Sequence, residues 1–301
     1  MKRDIFILDC HEIKCTLPVK YAYDDLCGAF RRKKYNVRIV DNVFELHNNS
    51  IVFMGNIFHC NEFEPQDLLN EIAPDAIYIG WYWTNVNVNK LKYFIHTYEN
   101  IMNIYYDETK PGLGMVLEKP SGLIKLRQQK YNVPLLLRAN DDPMLIGTYE
   151  RKIERDYCYM GYKYCPHMVP INFTGVYYGT LVHENFMSYE ERKKIYLSST
   201  FSLGFQSRTN IELKHVSQRI YEGMAYGCVV LSNSLAACQQ TNNIVIYVNS
   251  LEDLEEKMAY YKNNPELIKQ KQQQGYEFVK KHGTNEKSIE LISKVIQRFS
   301  S

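Results

Sequence analysis

At 301 residues the chain is long for one core, which sets an expectation of two domains of about 150 residues each. With 45% hydrophobic and 23% charged residues it can bury such cores, and this excludes a disordered or fibrous chain. A formal net charge of +2 excludes the strong basic field used to wrap nucleic acid or grip anionic membranes.

The first residues, MKRDIFILDC, put basic side chains before apolar ones. The apolar run stops at Asp9 after four residues, too short for the core of a signal peptide. No apolar stretch approaches the roughly 20 residues of a membrane span, so no transmembrane segment is expected. None of the eight cysteines forms a Cys-x-x-Cys pair, and several fall in expected strands, where a free thiol behaves as a small hydrophobe. That usage fits a reduced, cytoplasmic compartment.

The first third alternates strand and helix. Residues 4–8 read as a buried strand, 22–34 as a helix and 37–40 as a second strand, which makes one βαβ unit. Its first connection, 9–18, lacks Gly-x-Gly-x-x-Gly, so no dinucleotide fingerprint is present. Strands are expected at 51–54, 76–79, 102–106 and 133–137, with helices at 65–72, 89–99 and 123–130. This alternation predicts a parallel sheet covered on both faces. Gly112-Leu113-Gly114 is too short for a phosphate loop and reads as a turn. The strand ends present Asp9-Cys10-His11, Trp81-Tyr82-Trp83 and Asp107-Glu108. A carboxylate or imidazole at such an end can take a proton from a hydroxyl, and an indole can stack on a sugar ring. Asp9 and Asp107 equally suit helix caps or turns.

The pattern falters at 140–155, where Asp141-Asp142-Pro143 and Gly147 mark a linker. A first domain over 1–150, a second over 151–285 and a terminal helix over 286–301 are expected. The second series runs through strands at 157–160 and 201–205, a strand-rich 169–178, and a helix at 189–197. Strands at 228–231 and 244–248 follow, then helices at 251–262, 265–281 and 287–299.

Within that series, HVSQRIYEGMAYGCVVLSN (215–233) reads as a short helix, a glycine stop at Gly227 and a buried strand. A helix start carries unpaired N–H groups and partial positive charge, and so can receive a phosphate. Ser217 and Gln218 sit at that start, and Arg219 in the first turn can add a guanidinium. Glu222 lies three residues on, along the same face, placed to accept hydrogen bonds from sugar hydroxyls. Arg and Glu at this spacing also form ordinary surface ion pairs worth a few tenths of a kcal/mol. The helix feeds straight into a buried strand, the place where open α/β sheets bind ligands, and that context favours the binding reading.

SQRIYEGMAYGCVVLS resembles the C-terminal signature of group 1 glycosyltransferases, in particular the branch named for spore-maturation proteins. NIVIYVNSLEDLEEKMAYYKNNPELIKQKQQQGYEFVKKHGTNEKS is similar to the strand, paired helices and terminal His-Thr segment of that family. The likeness covers roughly 156–295. Two departures stand out: Lys214 occupies the place of a second Glu eight residues before Glu222, and Gly283 is inserted between His282 and Thr284. A looser likeness exists to fucosyltransferases, which show a similar helix followed by Gly-Cys-Val.

The resemblance implies the GT-B architecture, two Rossmann-like domains facing a cleft, with a terminal helix that crosses back to the first. It implies a nucleotide diphosphate sugar as donor substrate, no separate cofactor, and transfer to a hydroxyl of a glycan or other acceptor with retained stereochemistry. Arg219 would then pair with the diphosphate and Glu222 would hold the ribose. The loop Gly161-Tyr162-Lys163 would flank the donor, where glycine permits close approach and Lys163 reaches phosphate. Arg208, in the next strand-end loop, is a second phosphate candidate. Asp9, His11 and Asp107 are the candidates for the proton transfer on the acceptor side. Asp-x-Asp, the metal-holding triplet of the other common glycosyltransferase architecture, is absent. The Cys–His neighbours match no familiar zinc spacing. A metal-independent reaction is therefore expected, with Arg219 and helix-start N–H groups stabilising the leaving diphosphate. Two alternatives stay open: an inverting enzyme of fucosyltransferase type, and a non-catalytic sugar-nucleotide-binding protein.

Overall fold

The computed structural model describes residues 3–8, 17–40, 43–54, 72–73, 76–81, 101–105, 114–118, 131–134, 139, 141–161, 166–178, 187–208, 211, 216–287, 289–290 and 293. The chain divides into two compact units. One takes 1–109, 114–135 and 288–301, and the other takes 110–113 and 136–287. Both are mixed α/β with parallel strands, of Rossmann-like type.

The first unit contains β1 (Asp4–Leu8), α1 (Leu17–Arg32), β2 (Val37–Val40), β3 (Ser50–Met54), β4 (Ile77–Trp81), β5 (Ile101–Tyr105), β6 (Gly114–Glu118) and β7 (Tyr131–Pro134). They form one sheet in the order β2-β1-β3-β4-β5-β6-β7. The first five strands are parallel, as alternation predicts. Strand β6, where the sequence reads as a turn at Gly114 and predicts no strand, runs antiparallel to both β5 and β7, which corrects the expectation of a wholly parallel sheet. The reason is length: eight residues separate β5 from β6, fewer than the dozen or more that a parallel crossover needs. Ile5, Phe6 and Ile7 are all buried, as a strand covered on both faces requires. Lys33, just after α1, pairs with Glu290 at 2.9 Å, so the chain's end belongs to this unit. The helices expected at 65–72, 89–99 and 123–130 lie in segments outside the described residues, Ile72 excepted.

The second unit contains β8 (Arg155–Met160), β9 (Gly175–Tyr178), α2 (Tyr189–Leu197), β10 (Ser199–Leu203), α3 (Gln218–Ala225), β11 (Val229–Ser232), α4 (Leu235–Gln240), β12 (Ile246–Tyr247), α5 (Leu251–Lys262) and α6 (Pro265–His282). Its sheet has the order β12-β11-β10-β8-β9 with every pairing parallel. Side chains alternate between its faces with period two. Tyr157, Tyr159, Phe201, Leu203, Val229 and Leu231 pack towards Leu254 and Met258 of α5. Val230 points the other way, against Ile220 and Met224 of α3 and Val279 of α6. Such two-sided burial explains why VVLS reads as a continuous apolar run. Ser188 opens α2 with a full capping box to Glu191, and Ser234 and Ser250 cap α4 and α5. Helix α4, six residues long, is too short to show a helical period in the sequence.

Candidate functional site

Strand order in the second sheet reverses between β8 and β10. In open α/β sheets the crevice that binds ligands lies at such a reversal, beyond the carboxyl ends of the two strands. Beyond β8 comes Gly161, and beyond β10 comes Gly204-Phe205-Gln206. The second loop is held in place. The Gln206 amide N–H donates to Asn233 Oδ1 at 2.8 Å, and Asn233 Nδ2 returns a bond to Gln206 O at 3.1 Å.

Helix α3 starts against that loop. Its N-cap residue, Ser217, has extended backbone, yet its hydroxyl caps none of the helix's N–H groups. The hydroxyl instead accepts from Gln206 Nε2 at 2.9 Å. A serine at an N-cap normally bonds the second or third amide of its helix, as Ser188, Ser234 and Ser250 do in this unit. The start of α3 therefore keeps N–H groups that no cap side chain satisfies, together with the positive end of its dipole.

Arg219 crosses this start to the crevice. Its Nη1 donates to Phe205 O at 3.2 Å and lies 3.5 Å from Tyr159 Oη, with the guanidinium 5.7 Å from the Tyr159 ring centre. The same group packs on Gly161, where a Cβ would overlap Nη1 and stand 2.7 Å from Cζ. Gly161 and Arg219, 58 residues apart, thus meet at the switch point (219 − 161). Tyr159 is locked beneath them by a stacked Tyr177 ring with centres 4.5 Å apart.

Glu222 is almost fully buried, one turn further along α3. It forms no pair with Arg219. Its Oε1 accepts from Gln218 Nε2 at 2.8 Å and forms an ion pair with Arg192 Nη2 at 2.9 Å that lacks hydrogen-bond geometry, and its Oε2 accepts from Tyr196 Oη at 3.4 Å. Two carboxylate oxygens offer about four acceptor positions, so these two hydrogen-bond donors leave room for two more. Burial pushes the carboxyl above the ordinary range, Arg192 and Tyr196 pull it back, and Asp141 adds a further push upward. The same burial, reinforced by Glu222, drives the Tyr196 phenol far upward, so it remains a donor.

The structure thus brings Gly161, Ser217, Gln218, Arg219 and Glu222 together. Arg208 is exposed and has helical rather than loop backbone, two residues beyond Gln206. Asp9, His11, Asp107, Tyr162 and Lys163 lie outside the described residues, as does Lys214. Sequence reasoning missed Arg192, Tyr196, Gln206 and Asn233. Arg192 stands in the charged run Glu190-Glu191-Arg192-Lys193-Lys194, where nothing local separates the inward side chain from solvated ones. Among the described residues no three His, Cys, Asp or Glu side chains gather as a metal site would need, and no helix is long and apolar enough to cross a membrane.

No curated protein matches the chain. Among solved structures it is similar to the N-terminal domain of trehalose-6-phosphate phosphatase from Candida albicans. That likeness has a TM-score of 0.48 and 11% identity, over 83% of this chain and 70% of that one. Residues 157–293, which run from within β8 past α6 and include Gly161, Arg192, Tyr196, Gln206, Arg219 and Glu222, match a family model described as glycosyl transferase-like, and that match supports glycosyl transfer as the chain's general chemistry.

Proposed function

We propose that the protein is a GT-B glycosyltransferase that binds the diphosphate of a nucleotide sugar at the start of α3. The observation that carries this reading is the seating of Arg219 at the β8/β10 switch point, against Gly161 and beside an uncapped helix start. A pyrophosphate there would meet backbone N–H groups, a helix dipole and a guanidinium at once. In the transition state the sugar–phosphate bond breaks and negative charge grows on the departing diphosphate. Donors fixed in advance towards that charge stabilise it without reorganisation. Arg219 is already held by Phe205 O and Tyr159, which supplies the fixed geometry.

Glu222, one turn on, would accept hydrogen bonds from the ribose hydroxyls through its remaining acceptor positions. Gln218 and Ser217 would line the approach, and Tyr162, Lys163 and Arg208 would add further donor contacts. Charge compensation by Arg219 and the helix start makes the proposed reaction independent of a divalent metal. With stereochemistry retained, a leaving-phosphate oxygen would take the acceptor hydroxyl's proton. If the reaction inverts instead, Asp9, His11 or Asp107 of the first unit would serve as base. The acceptor would be a glycan or another hydroxyl compound.

Calorimetric titration with UDP, GDP, CDP and dTDP tests the site directly. One of them should bind at micromolar concentration, and Arg219→Ala should weaken it at least tenfold. Equal affinity in the variant, or no binding of any of the four to the native chain, would overturn the assignment.

A further inference from the structure

We propose that Arg192 is the positioning residue that holds the Glu222 carboxylate charged and aimed, and so governs whether this site accepts hydrogen bonds from a ribose diol. The inference rests on the reading of Glu222 as the ribose acceptor, and it adds a residue from a different helix.

Glu222 is 3% exposed at its side chain and cannot stay ionised there without a counter-charge. Arg192 supplies one at 2.9 Å from the second turn of α2. Its guanidinium lies 4.9 Å from the centre of the Tyr189 ring on the same helix, which restricts its rotamers before any ligand arrives. The charged and titratable groups facing Glu222 are Arg192 and Tyr196 from α2, Arg219 from its own helix, and Asp141 from the segment before β8. Arg219 is turned to Phe205 O, and Asp141 repels the carboxylate. Arg192 is therefore the closest cation, and its ion pair is with Oε1 of Glu222, to which Gln218 also donates. Oε2, touched by Tyr196 at 3.4 Å, keeps the remaining acceptor capacity.

A carboxylate accepts from both hydroxyls of a diol, whereas a carboxylic acid presents a donor and loses acceptor strength. With its counter-charge gone, burial would push Glu222 further towards its protonated form and weaken its hold on the ribose. The diphosphate contacts, which belong to Arg219 and the helix start, would stay.

The test compares the native chain with Arg192→Gln, Arg192→Lys and Glu222→Gln. The first readout is calorimetric affinity for UDP, GDP and CDP, each against its 2′,3′-dideoxy counterpart, from pH 5.5 to 8.5. The native chain should prefer the ribose form about tenfold at pH 7. Arg192→Gln should cut that preference to threefold or less and recover it only as the pH rises. Arg192→Lys should keep most of it, and Glu222→Gln should abolish it at every pH. An unchanged preference and pH midpoint in Arg192→Gln, with diphosphate still bound, would overturn the role of Arg192 while leaving the proposed function standing. The second readout needs no ligand. The drop in melting temperature caused by Arg192→Gln should be larger at pH 8 than at pH 5, because only the ionised Glu222 misses its partner. It should shrink in the Glu222→Gln background. A drop independent of both pH and residue 222 would sink the inference even if no nucleotide bound.

Discussion

The guanidinium of Arg219 fills the space that a side chain at position 161 would need. Gly161→Ala therefore cannot keep Arg219 where it is. The nearest obstructing atoms are the far end of Arg219, which can swing away, but the Cβ would also stand 2.9 Å from Tyr159 Oη, whose ring is held by Tyr177. Melting temperature should therefore fall by a few degrees, because Tyr159 must also shift. Diphosphate affinity should fall about as far as in Arg219→Ala. An alanine variant that binds as the native chain does would show that the Gly161–Arg219 contact has no part in recognition.

Arg219→Ala itself removes a donor from the place where charge should grow on the leaving group. Loss of one such preorganised donor typically costs about 10² to 10³ in turnover. Arg219→Lys keeps a charge but loses the planar fork that reaches Phe205 O and a phosphate together, so it should recover only part of the rate. Release of nucleotide diphosphate in the presence of acceptor, followed at saturating donor, gives the comparison. Native turnover in Arg219→Ala would remove this residue from the chemistry.

Much of this arrangement is legible in the chain. Period-two and continuous apolar runs give β1 and β2 with the bounds they have in the structure, and the 3.6-residue pattern does the same for α2 and α5. Gly227 ends α3 as a glycine stop should. Strand β6 has no counterpart among the expected elements, because Gly112-Leu113-Gly114 reads as a turn, and its reversed direction is set by the short connection from β5, not by periodicity. Arg219 and Glu222 stood out because a helix start that feeds a buried strand is a local pattern. Their partners did not: Tyr159, Phe205 and Arg192 come from elements that meet α3 only through strand order, and no spacing along the chain encodes that. Ser217 is the instructive case. It looks like an ordinary cap, and only the neighbouring loop shows that its hydroxyl is turned to Gln206.

Away from the site, Asp156 at the start of β8 meets Lys262 at the end of α5, with Nζ 2.6 Å from Oδ1. Thr174 adds its amide and hydroxyl to Oδ2 at 2.9 and 3.0 Å. Burial alone would push this carboxyl upward, but the bonds from Lys262 and Thr174 outweigh it and hold the group below its ordinary range. A depressed carboxyl contributes stability above its unfolded value, near pH 4, and loses it as pH falls through the folded one. Lys262→Met should cost about 0.5–1 kcal/mol at pH 7, the half-exposed ammonium being screened by water. The difference from the native chain should close as the pH drops below about 4 and Asp156 is protonated. Urea unfolding at pH 7, 5 and 3.5 reads it, and a gap that widens in acid would contradict the sign.

Gly227 stands at φ 81°, between the end of α3 and β11, and abuts the Tyr276 hydroxyl of α6. An alanine there meets two separate obstacles. The left-handed backbone costs an L-residue about 1–2 kcal/mol by itself. The new Cβ would also overlap Tyr276 Oη and stand 2.7 Å from its Cζ and 3.2 Å from Arg151 Cδ. Neither neighbour can move freely. Tyr276 also closes over Gly147, and the Arg151 guanidinium bonds the carbonyls of Gly227 and Ser199. Gly227→Ala should therefore lose about 2–4 kcal/mol in urea unfolding, more than backbone strain alone accounts for. In a Tyr276→Leu background the hydroxyl and ring edge are gone, so the same substitution should cost less, close to the backbone term. A double-mutant cycle isolates that coupling. Equal costs in both backgrounds would leave left-handed strain as the whole effect and remove Tyr276 from the account of why glycine stands at this helix stop.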